Sequence, residues 1–131
     1  MRLADAARRW AETWQRGWNE RDVEAIVELY AEDAIFSTEP FREPFIGPAG
    51  ARRYVAGAFA EEESATARFG EPVVGEGRAA VPWWASLVEN GKPITLAGTS
   101  LLRFNDDGLV VEQWDAWNQS DKRRDAPDWW R

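Results

Sequence analysis

Apolar residues near the start of the chain fall at helical spacing. Leu3, Ala7, Trp10, Trp14 and Trp18 recur every three or four positions, which predicts an amphipathic helix from about Leu3 to Trp18. Asn19–Asp22 interrupts the stripe, and Asp22 suits the N-cap of a second helix carrying Val23, Ile26, Val27, Leu29 and Tyr30. Ala34-Ile35-Phe36 reads as a short strand. The segment Ser37–Pro48 is a loop rich in proline and aromatics. Pro48 fits the first turn of a third helix, which runs through Tyr54, Val55 and Phe59. The acidic run Glu61–Glu63 is expected to be its exposed end.

Beyond that run the period changes. Arg68–Val74, Arg78–Glu89, Pro93–Phe104 and Leu109–Asn118 read as strands, separated by Gly75-Glu76-Gly77, Asn90-Gly91 and Asp106-Asp107-Gly108. Pro82 inside the second of these predicts a bulge or an unpaired ladder position, because it has no N–H to donate. Helices followed by an antiparallel meander predict a single α+β domain, with about three N-terminal helices packed on one face of a curved, mostly antiparallel sheet. The tail, Gln119–Arg131, is polar until Trp129-Trp130 and is expected to be mobile or to dock on another surface.

Composition narrows the chemistry. A net charge of −7 argues against nucleic acid as a partner. No stretch is apolar for a membrane span and Met1–Asp5 lacks the apolar run of a signal peptide, so a cytoplasmic protein is expected. The chain has no cysteine and no histidine, which removes thiolate nucleophiles and leaves a tight transition-metal site improbable. The carboxylates show no metal-ligand spacing, and neither metal nor cofactor is expected. Nine tryptophans stand out, pointing to an aromatic-lined pocket or a subunit interface.

Without histidine, proton chemistry near neutral pH falls mainly to carboxyl groups in unusual surroundings. Asp115 is the leading candidate. It lies in Val110–Asn118, Val-Val-Glu-Gln-Trp-Asp-Ala-Trp-Asn, where alternation puts Gln113, Asp115 and Trp117 on one face. Glu112, Trp114, Ala116 and Asn118 take the other. A carboxylate set among large aromatics is a structural acid bonded to a neighbouring N–H, or a working acid/base.

The stretch Trp18–Phe36 resembles the helix–helix–strand opening of the NTF2-like superfamily, and more closely its SnoaL-like polyketide cyclase and ketosteroid isomerase branch. Gly47 before the third helix, and the hairpin Leu102–Asp115, are similar too. The resemblance covers about Leu3 to Asn118. It implies a cone, in which a curved sheet wraps around long helices and leaves an apolar pocket at the open end. It also implies a homodimer through the outer faces of the sheets. Strand alternation would then point Val81, Trp83, Ala85 and Leu87 inward, with Leu96, Gly98, Ser100, Leu102, Phe104, Gln113, Asp115 and Trp117. Trp84, Thr99, Leu101, Arg103, Glu112 and Trp114 would lie outside, with Trp84 and Trp114 as the dimer contact.

Against the ketosteroid isomerase pattern, Trp14 stands in place of the oxyanion-hole tyrosine and Ser100 in place of its protonated acid. The base position falls on Thr38, or on Glu39 with a one-residue shift. Steroid isomerisation is therefore disfavoured. The Asp–Arg–Asp constellation of limonene-type epoxide hydrolases is disfavoured as well, because Arg103 should point outward and no second acid accompanies it. SnoaL-like cyclases, with one inward Asp on the last strand and no metal or cofactor, match Asp115. That resemblance implies a cofactor-free general acid/base acting on a hydrophobic carbonyl compound in cyclisation, isomerisation or dehydration. Trp14, Trp18, Glu39, Tyr54, Trp83, Ser100, Gln113 and Trp117 are the candidate pocket residues. The alternatives are a binding domain for an apolar or aromatic metabolite and a dimeric accessory protein.

Overall fold

A computed structural model describes residues 1–130. The elements follow as α1 (Leu3–Glu20), α2 (Val23–Val27), β1 (Tyr30–Ser37), β2 (Phe45–Ile46), α3 (Gly47–Glu61), β3 (Ser64–Phe69), β4 (Val73–Gly75), β5 (Arg78–Glu89), β6 (Lys92–Phe104) and β7 (Val110–Ser120). The strands form one curved sheet in the order β2-β1-β7-β6-β5-β3, with β4 pairing the remaining edge of β5. β1 and β7 run parallel, with Phe36 beside Gln113, and the other pairs are antiparallel. The expected α+β cone is the observed architecture.

The tryptophan stripe explains where α1 lies. Trp10, Trp14 and Trp18 are all buried, and their rings run together along the inside of the sheet. Trp14 stacks on Trp18 with centroids 5.5 Å apart, and Phe36 and Phe69 pack edge-on against the row. α1 ends at Arg21, whose backbone takes the left-handed conformation at φ 56°. The Arg21 guanidinium then reaches α3 and donates to the carbonyls of Phe59 and Glu62, both at 2.8 Å. Helix C-termini leave carbonyls without intrahelical partners, and this arginine satisfies one just past the end of α3.

Several boundaries differ from the expectation. Asp22 does cap α2, accepting from the Ala25 N–H at 3.1 Å, but the helix ends at Val27. Tyr30 belongs to β1 instead, because the Leu29 carbonyl accepts from Val110 N–H and draws the chain into the sheet. The expected loop Ser37–Pro48 contains the short strand β2, paired through Ile35 and Ile46. The expected strand Arg68–Val74 is broken into β3 and β4 by Gly70–Pro72. Pro82 sits opposite this break. Its carbonyl accepts from Gly70 N–H, so its missing donor faces the unpaired edge while the β5–β6 register continues undisturbed.

The tail docks on its own domain. Thr95 donates to the Lys122 carbonyl and accepts from the Arg124 amide, both at 2.9 Å. The Trp84 indole donates to the Arg124 carbonyl, and Trp130 packs edge-on against Trp84. Trp84 is therefore covered by the protein's own C-terminus. On the outer face Trp114 is 49% exposed, and the exposed Ile35 lines the same surface hollow.

Gly98 pairs with Trp117 where β6 meets β7. A Cβ there would overlap the Ala116 carbonyl and the Trp117 side chain, both fixed by strand pairing. Gly98→Ala should lower the unfolding free energy by about 1–3 kcal/mol through overpacking. Urea titration measures this, and unchanged stability would show that the crossing relaxes freely.

Candidate functional site

The open end of the sheet encloses a cavity of about 440 Å³. Asp115, Ser100, Gln113, Trp14, Trp18, Tyr54, Trp83 and Trp117 all border it. Glu39 reaches only the rim, where it is exposed and faces Arg42 at 3.8 Å. α1 contributes Trp14 and Trp18 and α3 contributes Tyr54, while strand alternation supplies the rest: Val81, Ser100, Leu102, Gln113 and Asp115 are buried on the inner face, whereas Trp114 is exposed on the outer. Arg103 is on the outer face as expected, paired with Glu112 at 3.4 Å. Thr38, not Glu39, occupies the buried position at the end of β1, and it offers no acid.

Asp115 is held from one side only. Its Oδ1 accepts from Ser100 Oγ at 2.6 Å and from Gln113 Nε2 at 3.0 Å. The direction of both bonds follows from groups that can only donate or are already donating. Trp83 Nε1 donates to Ser100 Oγ at 3.1 Å, so the serine hydroxyl turns its proton to Asp115. The Gln113 carbonyl oxygen accepts from Trp10 Nε1 at 3.3 Å and from the Tyr30 hydroxyl, so its amide nitrogen faces Asp115. Oδ2 has no partner among the described residues, and an acidic proton resides there when the group is neutral. Burial pushes the Asp115 carboxyl up to about 7 against the pull of Ser100 and Gln113.

Most other donors around Asp115 are committed. Trp117 Nε1 donates to the Thr38 carbonyl at 2.8 Å, and Trp18 Nε1 to Glu62 Oε1 at 3.2 Å. Trp14 Nε1 is sealed from solvent without a hydrogen-bond partner, so this residue presents its ring to the cavity and not its N–H. Tyr54 differs. Its hydroxyl has no partner among the described residues, and burial followed by the fields of Asp115 and Glu62 keeps it a neutral phenol.

Glu62 corrects the expectation of an exposed acidic run. Glu61 and Glu63 are exposed, but Glu62 is 7% exposed and borders the cavity. The signal was present in the sequence: Ala51, Val55, Ala58 and Glu62 stand at i, i+4, i+7 and i+11, the inward stripe of α3. Burial lifts its carboxyl to about 7, opposed by the Trp18 hydrogen bond and by Arg21. Tyr30, expected on the second helix, joins the buried Trp10 in orienting Gln113. No set of three or more acidic side chains among the described residues converges as metal ligands.

The raised carboxyls carry a stability consequence. Between about pH 4 and 7 the folded chain retains protons on Asp115 and Glu62 that the unfolded chain releases near their ordinary values of 3.8 and 4.5. Stability should fall as pH rises through this window, by at most about 1.4 kcal/mol per unit for Asp115. The Glu62 contribution is smaller, since its carboxyl is only partly enclosed. Urea midpoints measured from pH 4.5 to 8.5 read this slope, and Asp115→Asn should flatten it. A parent midpoint that rises across the window would contradict the burial of both acids in neutral form.

Comparisons with known proteins bear on the family and the fold. The family profile described as a SnoaL-like domain matches residues 7–113. Among solved structures, the chain is similar to the epoxide hydrolase/cyclase-like enzyme SalBIII, described in pyran ring formation in polyether salinomycin. That likeness has a TM-score of 0.76 and 22% identity, covering 87% of this chain and 91% of that one. An NTF2-like protein of unknown function from Exiguobacterium sp. 255-15 has a TM-score of 0.73 at 16% identity, covering 86% and 98%. A hypothetical protein with a ketosteroid isomerase-like fold from Catenulispora acidiphila DSM 44928, in complex with trimethylamine, has a TM-score of 0.70 at 15% identity, covering 80% and 82%.

Proposed function

The chain belongs to the SnoaL-like domain family, and on that premise we propose that it is a cofactor-free enzyme using Asp115 as general acid/base on a hydrophobic carbonyl compound. One observation carries this reading. The buried Asp115 carboxyl is immobilised through Oδ1 by two donors and keeps Oδ2 free beside an aromatic cavity. With its carboxyl near 7, both protonation states are populated at neutral pH, as acid/base catalysis needs.

In the proposed reaction a ketone lies against the indole rings with its α-carbon at Asp115 Oδ2. The carboxylate takes the α-proton, and the C–H electron pair moves into an enolate whose oxygen accepts from the Tyr54 hydroxyl. Return of the proton to another carbon gives isomerisation. Attack of the enolate carbon on an internal carbonyl gives ring closure, with Asp115 delivering the proton to the new alkoxide. Ring formation is also the context in which SalBIII is described. A second reading, binding of an apolar or aromatic metabolite without turnover, is favoured by one feature: Tyr54 is the one free donor identified near Asp115, so an enolate has little support.

Deuterium uptake into 2-tetralone in D2O, followed by NMR, tests the reaction directly. The parent protein should accelerate exchange with an apparent pKa near 7, and Asp115→Asn should lose at least about a hundredfold. Tyr54→Phe should lower kcat roughly tenfold or more with little change in KM, since its bond strengthens as the enolate forms. Exchange that survives Asp115→Asn excludes the acid/base role; binding of the ketone with no exchange by the parent favours the second reading.

A further inference from the structure

We propose that Glu62 is the second polar anchor of the cavity and binds a hydroxyl group on the ligand, at a place distinct from the group served by Asp115. The inference rests on the cavity being a ligand site, as proposed above, and it names the substrate class: a hydrophobic ring compound with a carbonyl and a separate hydroxyl.

The placement of Glu62 is built, not incidental. It directly follows α3, and its backbone carbonyl is clamped by Arg21 from α1 at 2.8 Å. Arg21 uses its guanidinium on the carbonyls of Phe59 and Glu62 and forms no ion pair with the Glu62 carboxyl. The carboxyl therefore turns inward, where Oε1 accepts from Trp18 Nε1 at 3.2 Å. Oε2 has no partner among the described residues. If the only task were to satisfy the Trp18 indole, glutamine would do so without placing an ionisable group in an aromatic wall. A carboxyl there keeps one oxygen for something else.

Two features indicate what that partner is. Asp115 on β7 and Glu62 just past α3 border the cavity from different elements and share no hydrogen-bond partner, Asp115 being held by Ser100 and Gln113 and Glu62 by Trp18. They thus mark different stations along one cavity, which Tyr54 also borders. Glu62 Oε2 stays unpartnered whichever form the carboxyl takes, an acceptor when ionised and a donor when protonated. A hydroxyl answers both states, donating to the carboxylate and accepting from the acid. An ammonium answers only the first and a carbonyl only the second.

The test uses two ketones that differ by one hydroxyl, 2-acetylnaphthalene and 2-acetyl-6-hydroxynaphthalene, titrated calorimetrically into the full-length protein. The parent should prefer the hydroxylated compound by about tenfold, as expected for a hydrogen bond to a charged group. Glu62→Met keeps the length of the side chain but removes both carboxyl oxygens, so it should erase that preference while the plain ketone binds as before. Asp115→Asn should leave the preference intact. Equal affinity of the two ketones for the parent, or a preference that persists in Glu62→Met, would overturn the role of Glu62 while leaving the acid/base reading standing. Failure of the parent to bind either compound would remove the cavity as a ligand site, and this inference with it.

Discussion

The hydrogen bonds converging on the Gln113 side chain set the polarity of everything around Asp115. Trp10 comes from α1, Tyr30 from β1, and Gln113 and Asp115 from β7. Indole has only a donor to give, and the phenol donates here as well, so the amide has no choice of orientation. From that single constraint follow the donor facing Asp115, the acceptor role of Oδ1 and the location of the acidic proton on Oδ2. The tryptophans thus do more than fill volume. Three of the four indole N–H groups on the cavity wall that bond at all end on a polar side chain of that wall: Trp10 on Gln113, Trp83 on Ser100 and Trp18 on Glu62.

The aromatic shell and the raised carboxyls are two sides of one arrangement. Rings exclude water, and exclusion of water is what lifts Asp115 and Glu62. The indole N–H groups give Gln113, Ser100 and Glu62 the donors that the same exclusion of water would otherwise deny them. A wall of leucines would raise the carboxyls equally but could not orient Gln113 or Ser100. Tyr54, whose hydroxyl is free, is the exception in this shell, which is why it stands out as a group for an incoming oxygen.

Much of this was legible in the sequence, for physical reasons. Strand period two is strict, so the inner positions from Val81 to Trp117 and the outward Arg103 could be assigned without coordinates. The tryptophan stripe of α1 was equally plain. Asp22 was recognised as a cap, yet the short α2 was overextended, because Leu29 and Tyr30 fit a helix stripe as well as a strand and only pairing with Val110 decides between them. Glu62 was missed because a run of three glutamates reads as solvated, although its phase on α3 pointed inward. The committed indoles and the docked tail could not be foreseen, since each depends on contacts between residues far apart in the chain, such as Trp84 with Arg124.

The parallel pairing of β1 with β7 has a temporal consequence. It joins Phe36 of the first strand to Gln113 of the last, and the strand that carries Asp115 is made after every other element of this sheet. Until β7 is made, the site has neither Asp115 nor the amide that Trp10 and Tyr30 meet, although α1 can already pack its tryptophans on Phe69 of β3. Closing so distant a contact as β1 with β7 is intrinsically slow. The acid of the cavity therefore arrives after the aromatic wall that surrounds it.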